Sequence, residues 1–180
     1  MKIGATANVR ALIHLLNHIR EGRRAEYPQD ITQVGIAEVL RTRRSHVSIT
    51  LSSLKKKGYV ENRLGRVENE RRRRKVYFLT FKGYLRAMEL RDHYLRKRIK
   101  VVQNGHVSEV RIGDLGGLLE DHHSLAEILS CISENGVLDI HSLNERSEAS
   151  VKGDPSMEQE RENIKSDSRG SIALYLLLKA

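Results

Sequence analysis

Arg71, Arg72, Arg73, Arg74 and Lys75 place five cations in a row, and Val76, Tyr77, Phe78 and Leu79 follow without a break. A block of like charge normally marks a solvated tail. This one is fastened to β-branched and aromatic residues that suit a sheet. Cations held at fixed spacing on a ribbon are equipped to neutralise a polyanion. A merely solvated loop would mix signs, and here Glu68 and Glu70 precede an unbroken positive run. A second set is Arg44, Ser45, His46, Ser48 and Ile49. It combines a guanidinium, an imidazole, short hydroxyls and a branched apolar side chain. Such groups donate, accept and make methyl-sized contacts at close approach. Arg41 and Arg43 precede this set, and Lys55, Lys56 and Lys57 follow it. Arg63 and Arg66 come shortly before the arginine run.

The charge is unevenly divided. The 180 residues carry a net +9. Residues 1–100 hold 25 Lys+Arg against 9 Asp+Glu, a net +16, and residues 101–180 hold 7 against 14, a net −7. That asymmetry assigns a polyanionic partner to the first half. A single cysteine, Cys131, excludes an internal disulfide. The first twenty residues lack a signal-peptide core, and the longest strong apolar run, Ile172–Leu178, is far short of a membrane span. The expectation is a soluble cytoplasmic protein with no membrane partner.

Catalytic and metal chemistry find little support. There is no nucleophile motif, no Gly-rich phosphate loop and no evident carboxylate pair, so no enzyme, cofactor or catalytic residue is expected. His122, His123, Cys131 and His141 fit no standard zinc spacing. His14 and His18 are spaced i, i+4, but no third ligand is evident, and they read as a surface pair. No metal is expected.

These groups need elements to position them. Val9, Leu12, Ile13 and Leu16 recur at helical spacing and predict one buried helix face over residues 5–20. Gly22, Pro28 and Asp30 break it. A helix restarts at 31–40, capped by Thr32, and a second runs from 44 until Gly58 ends it. Its apolar set is Val47, Leu51 and Leu54, so Ser45, Ile49, Ser52 and Lys56 lie opposite. Two short helices joined by about three residues form a helix-turn-helix. Val60 and Leu64 predict one strand and Val76–Leu79 its partner, with 65–74 as a long charged tip. Thr80 caps a further helix over 80–98, with Phe81, Tyr84, Leu85 and Met88 as its apolar stripe.

Helix, helix-turn-helix, hairpin and helix is the winged-helix order. The stretch "ITQVGIAEVL…SHVSITLSSLKKKGYVE…RRRKVYFLTFKG" resembles prokaryotic winged helix-turn-helix regulators of the MarR-like type, nearest to archaeal versions. The resemblance covers roughly residues 5–98. It implies DNA binding as a homodimer, with the first helix, helix 80–98 and the following module as candidate dimer surfaces. The archaeal modules are sometimes fused to P-loop ATPases, but no phosphate-loop motif occurs here. The turn departs from the family pattern: Leu40-Arg41-Thr42-Arg43 stands where Leu-Gly-hydrophobic-Ser is usual. Thr42 is then the candidate cap. Ile49 occupies a position that is often Arg in relatives.

In a helix-turn-helix the N-terminal half of the second helix meets base edges in the major groove. Base readout is therefore assigned to Arg44, Ser45, His46, Ser48 and Ile49. Phosphate contact is assigned to Arg41, Arg43, Lys55, Lys56, Lys57, Arg63, Arg66, Arg71, Arg72, Arg73, Arg74 and Lys75, with Gln33 completing the set. Wing neighbours alternate in direction, so about two of the four consecutive arginines are expected to touch phosphate at once.

The rest of the chain reads as a small module. Asn104-Gly105 between alternating β-branched residues predicts a hairpin. Ser124–Glu127 predicts a capping box opening a helix with Leu125, Ile128, Leu129 and Ile132 that stops near Gly136. Residues 137–143 predict a short strand or helix. Residues 144–170 are too polar to order themselves and predict a flexible linker before an apolar end at 171–180. The expected fold is α+β, mainly α. It comprises a winged helix-turn-helix domain (1–98), a small α/β accessory module of hairpin plus helix (99–143) and a flexible tail (144–180). A fragment ending near Arg98 is expected to stay folded and keep the charge. The function expected is sequence-specific binding of double-stranded DNA by a transcription regulator. The alternative is a winged helix that binds protein or RNA without operator specificity, with residues 99–180 docking a protein partner.

Overall fold

Thr6 opens the first helix, α1 (Ala7–Leu16), by accepting a hydrogen bond from the Val9 amide. Every residue from Ala11 to Leu16 is buried, not just one face. The reason lies in what packs on it. Ala11, Leu12, Leu15 and Leu16 belong to a core shared with the helix-turn-helix and the wing, whereas Ile13 belongs to a second core built from residues beyond 98. The computed structural model describes residues 4–19, 25–117, 123–141 and 143. Gly22, His122, the expected linker 144–170 and the apolar end 171–180 lie outside them.

A 3₁₀ turn at Gln29–Ile31 leads into α2 (Gln33–Val39), where the Thr32 hydroxyl accepts from the Gly35 amide. A Cβ at Gly35 would stand 2.4 Å from the Gln29 carbonyl oxygen, so only glycine lets α2 close on that turn. α3 (Arg44–Lys56) buries Val47, Thr50, Leu51 and Leu54. The two helices end alike. After α3, Gly58 is left-handed at φ 71°, its amide donates to Lys55 O and the Tyr59 amide to Leu54 O. After α2, Arg41 is left-handed at φ 49°, its amide donates to Glu38 O and the Thr42 amide to Ala37 O. Both are Schellman closures, and the second puts an arginine where a glycine would be free of strain.

The wing is β1 (Val60–Arg66) and β2 (Arg73–Leu79), antiparallel, with Arg66 opposite Arg73, Gly65 opposite Arg74 and Leu64 opposite Lys75. The strands therefore run further into the charged span than the apolar pattern indicates, leaving a tip of residues 67–72. Pairing continues there because the segment before α2 braces both strands. Tyr27 exchanges backbone bonds with Arg66 O and the Glu68 amide at 2.9 Å, and Thr32 bridges to Val76.

Thr80 caps α4 (Phe81–Leu95) at the Gly83 amide, 3.0 Å away. Its buried side is Gly83, Ala87 and Tyr94, with Tyr84, Met88 and Leu90 partly covered. This corrects the expected stripe, since Phe81 is 78% and Leu85 49% exposed. The rotation follows from Gly83, where a Cβ would meet the Tyr59 carbonyl oxygen at 1.9 Å. The helix approaches the end of the α3 turn along its glycine, which swings Phe81 and Leu85 outward.

Beyond α4, β3 (Arg98–Gln103) and β4 (His106–Arg111) form the expected hairpin, with Asn104 and Gly105 both at positive φ. A 3₁₀ segment (Ile112–Gly117) follows. α5 (Leu125–Cys131) opens with a complete capping box between Ser124 and Glu127, and β5 (Val137–Asp139) pairs parallel with β3. The sheets are thus β1-β2 and β4-β3-β5, and the fold is α+β, mainly α. Ile99, Val101, Ile112, Leu115, Ala126, Ile128, Leu129 and Leu138 close the second core against Ile13 and Tyr94. The chain divides after Ile140, and residues 4–140 are the unit described above.

His14 lies in the buried stretch of α1 at 3% exposure and is not a surface residue. Its Nε2 is 2.9 Å from the Asp30 carbonyl oxygen, to which it donates, and the His18 ring stands edge-on with centroids 5.0 Å apart. Burial pushes its pKa below the ordinary value; the Asp30 carbonyl, with the more distant Asp30 and Glu127 carboxylates, opposes this, and His18 adds to it. A histidine lowered in this way stays neutral in the fold but protonates when unfolded. Its contribution is complete above about pH 6.5 and is lost as pH falls below that value, by at most about 1.4 kcal/mol per pH unit. Thermal melts at about pH 7.5 and about pH 5.5 should show the acid loss, and His14→Gln should flatten the profile. An equally steep profile in the variant would assign the loss to other groups.

Candidate nucleic-acid interface

α3 turns its apolar residues inward and so commits the other side to solvent. Arg44, Ser45, His46, Ser48, Ile49 and Ser52 are all exposed, Ile49 at 69%. The structure brings the five residues assigned to base readout together on one open helix face. Its approach from the turn carries Arg41 and Arg43, and its far end carries Lys55, Lys56 and Lys57, all three exposed. Arg43 holds the N-cap position but makes no side-chain cap bond, and Thr42 does not cap the helix either.

Arg41 is half-buried, with its Nη1 enclosed and without a hydrogen-bond partner. Both that atom and the left-handed backbone are unfavourable. Arg41→Gly is therefore expected to raise stability by about 0.5–1 kcal/mol, read as a higher urea midpoint at unchanged m-value. A lower midpoint would mean that the aliphatic stem of Arg41 contributes more packing than its backbone costs.

Two polar links fasten the wing to the helix pair. The Gln33 Nε2 donates to the Tyr77 hydroxyl at 2.9 Å, joining α2 to β2. Lys55 on α3 donates to the Asn62 side-chain oxygen on β1. Burial raises the pKa of Tyr77, against smaller opposing effects of the Gln33 bond and the nearby Arg44 charge, so the phenol stays protonated. These two bonds were not legible in the sequence, because their partners are 44 and 7 residues apart and nothing in the local pattern pairs them.

The other phosphate candidates separate by environment. Arg63 is half-buried, its guanidinium 4.3 Å from the Phe78 centroid and 5.0 Å from that of Tyr27. Arg74 is paired with Glu70, and Arg66 with Glu26 at 2.9 Å. Arg71, Arg72, Arg73 and Lys75 are exposed and have no carboxylate partner among the described residues. Arg66, Arg71 and Arg73 border a shallow concavity of about 570 Å³ beside Leu64, Gly65 and Tyr27. No group of three His, Cys, Asp or Glu side chains among the described residues is placed to hold a metal. No described helix is long and apolar enough to cross a membrane.

A helix pair with an exposed second helix, followed by a basic two-stranded wing, is a winged helix-turn-helix module of the DNA-binding class. Residues 9–74, from α1 into β2, match the family model described as the Crp-like helix-turn-helix domain. Among solved structures, a glycine-to-lysine mutant of MepR from S. aureus is 21% identical at a TM-score of 0.34, covering 47% of this chain and 56% of that one. An alanine-to-valine mutant of MepR from a multidrug-resistant S. aureus clinical isolate is likewise 21% identical, at a TM-score of 0.33, covering 47% and 55%. The chain thus spans about half the length of these proteins. No curated protein matches.

Proposed function

We propose that the chain is a MarR-like transcription regulator of archaeal type that binds specific sequences of double-stranded DNA as a cytoplasmic homodimer. Residues 1–98 supply the winged helix, 99–143 an accessory module that completes its core and offers a surface to protein partners, and 144–180 a tail. No catalytic step is assigned to it. The observation that carries the reading is the open face of α3. Arg44, Ser45, His46, Ser48 and Ile49 are exposed side by side, between the cations of the turn and those of Lys55–Lys57. Base-edge readout needs small polar groups and a guanidinium at the helix start, flanked by charges that dock the phosphates.

Selection of bound sequences from a random duplex pool tests it. A shared, two-fold symmetric motif with half-sites about one helical turn apart is expected, because a symmetric dimer reads a symmetric site. Enrichment of no motif, with binding that random duplex competes away completely, would leave the module without operator specificity.

A further inference from the structure

Side chains alternate along a strand, and register partners point to the same face. The pairing of β1 with β2 therefore sorts the wing. Asn62 with Tyr77, Leu64 with Lys75, and Arg66 with Arg73 share one face. Arg63 with Val76, and Gly65 with Arg74, share the other. Two contacts orient the first face: Asn62 accepts from Lys55 of α3, and Tyr77 from Gln33 of α2. It is the face turned toward the helix pair. The second face is covered at its base by Tyr27, whose ring lies where a Cβ of Gly65 would be and meets Phe78 edge-on. The cations on that face already have partners, Arg63 with the two rings and Arg74 with Glu70.

We infer that the wing is one-sided: Arg66, Arg73 and Lys75, joined by Arg71 at the tip, hold backbone phosphates of the duplex, while Arg63 and Arg74 brace the ribbon from behind. This rests on the DNA-binding reading and states which cations it uses. Arg66 directly opposite Arg73 is an unfavourable like-charge pair in the free protein. Only Arg66 is relieved, by Glu26, in an exposed ion pair that contributes little. An anion between the two guanidinia removes that repulsion. The concavity they border with Arg71 gives it room at the edge of the wing, where Leu64 at 65% exposure lines it from the first face and Tyr27 and Gly65 from the second. A phosphate could come from a nucleic-acid backbone or from free solution, and the two are separated by experiment.

In the full chain, Arg66→Gln with Arg73→Gln should lower the slope of log affinity against log salt by about 2 per bound protomer, from about 0.9 per contact. Arg74→Gln removes the same charge one residue away and should leave the slope unchanged. Equal slopes for Arg73→Gln and Arg74→Gln would overturn the assignment and make the wing a diffuse field. A second arm follows the arginine side-chain NMR signals during titration with inorganic phosphate and, separately, with a short duplex. Shifts of Arg66 and Arg73 but not Arg74 with either ligand support the one-sided wing. Shifts with phosphate alone would keep the site while removing duplex DNA as its ligand, which is failure of the functional reading only. No selective shift with either ligand would overturn the site itself.

Discussion

A chain cut after Arg98 is expected to lose most of its cooperative stability. Ile13 and Tyr94 are 1% and 7% exposed, and their partners in the second core are Ile99, Val101 and apolar residues further on. Removing those partners returns both side chains to water, together with parts of Val9, Leu90 and Leu95. Each full exposure costs about 1.5–3 kcal/mol. Two of them already approach the lower end of a domain's total stability of about 5–15 kcal/mol. The expected result is a fragment with a much lower denaturation midpoint and exposed apolar surface that binds a hydrophobic dye. A fragment with the midpoint of the full chain would show that the helix-turn-helix core suffices. This reverses the expectation from sequence, where the fold signal and the charge both stop near residue 98 and suggest an independent domain.

Replacing Arg44, Ser45 and Ser48 together by Ala is expected to flatten discrimination among duplexes while keeping most of the nonspecific affinity. All three are exposed and contribute nothing to either core, so the fold should survive. Each base position read wrongly costs about 1–3 kcal/mol, so losing two or three contacts removes on the order of 30-fold to 10⁶-fold of preference. Binding to random duplex should fall by about one phosphate equivalent, from Arg44. The measurement is a ratio of dissociation constants, operator over random duplex, at one salt concentration. An equal loss on both duplexes would remove α3 from the groove and assign its exposed face to another partner.

What was legible follows from local physics. The residue types of Thr32, Thr80 and Ser124 mark them as caps, and each accepts the amide three residues on. Asn104-Gly105 predicts a hairpin turn because both positions need positive φ, and both have it. The open face of α3 follows from the spacing of Val47, Leu51 and Leu54, which alone fixes the opposite side of the helix. Where local pattern and packing diverged, the packing decided. Phe81 and Leu85 fit an apolar stripe, yet the close approach at Gly83 turned them to solvent. His14 and His18 look alike in sequence, but the segment before α2 comes against His14, whose ring meets the Asp30 carbonyl oxygen and is 3% exposed.

The sequence by itself determined the elements, their order, the basic first half and the residues that α3 offers to solvent, because capping, turn chemistry and helical periodicity act within a few residues. Only the tertiary structure decided that Arg63 and Arg66 are engaged, since that depends on Tyr27 and Glu26 reaching the wing across roughly forty residues of chain, whereas Arg74 pairs with Glu70 close by in sequence. It also decided that α1 serves two cores at once. Those outcomes depend on contacts between distant segments, which residue spacing along the chain does not encode.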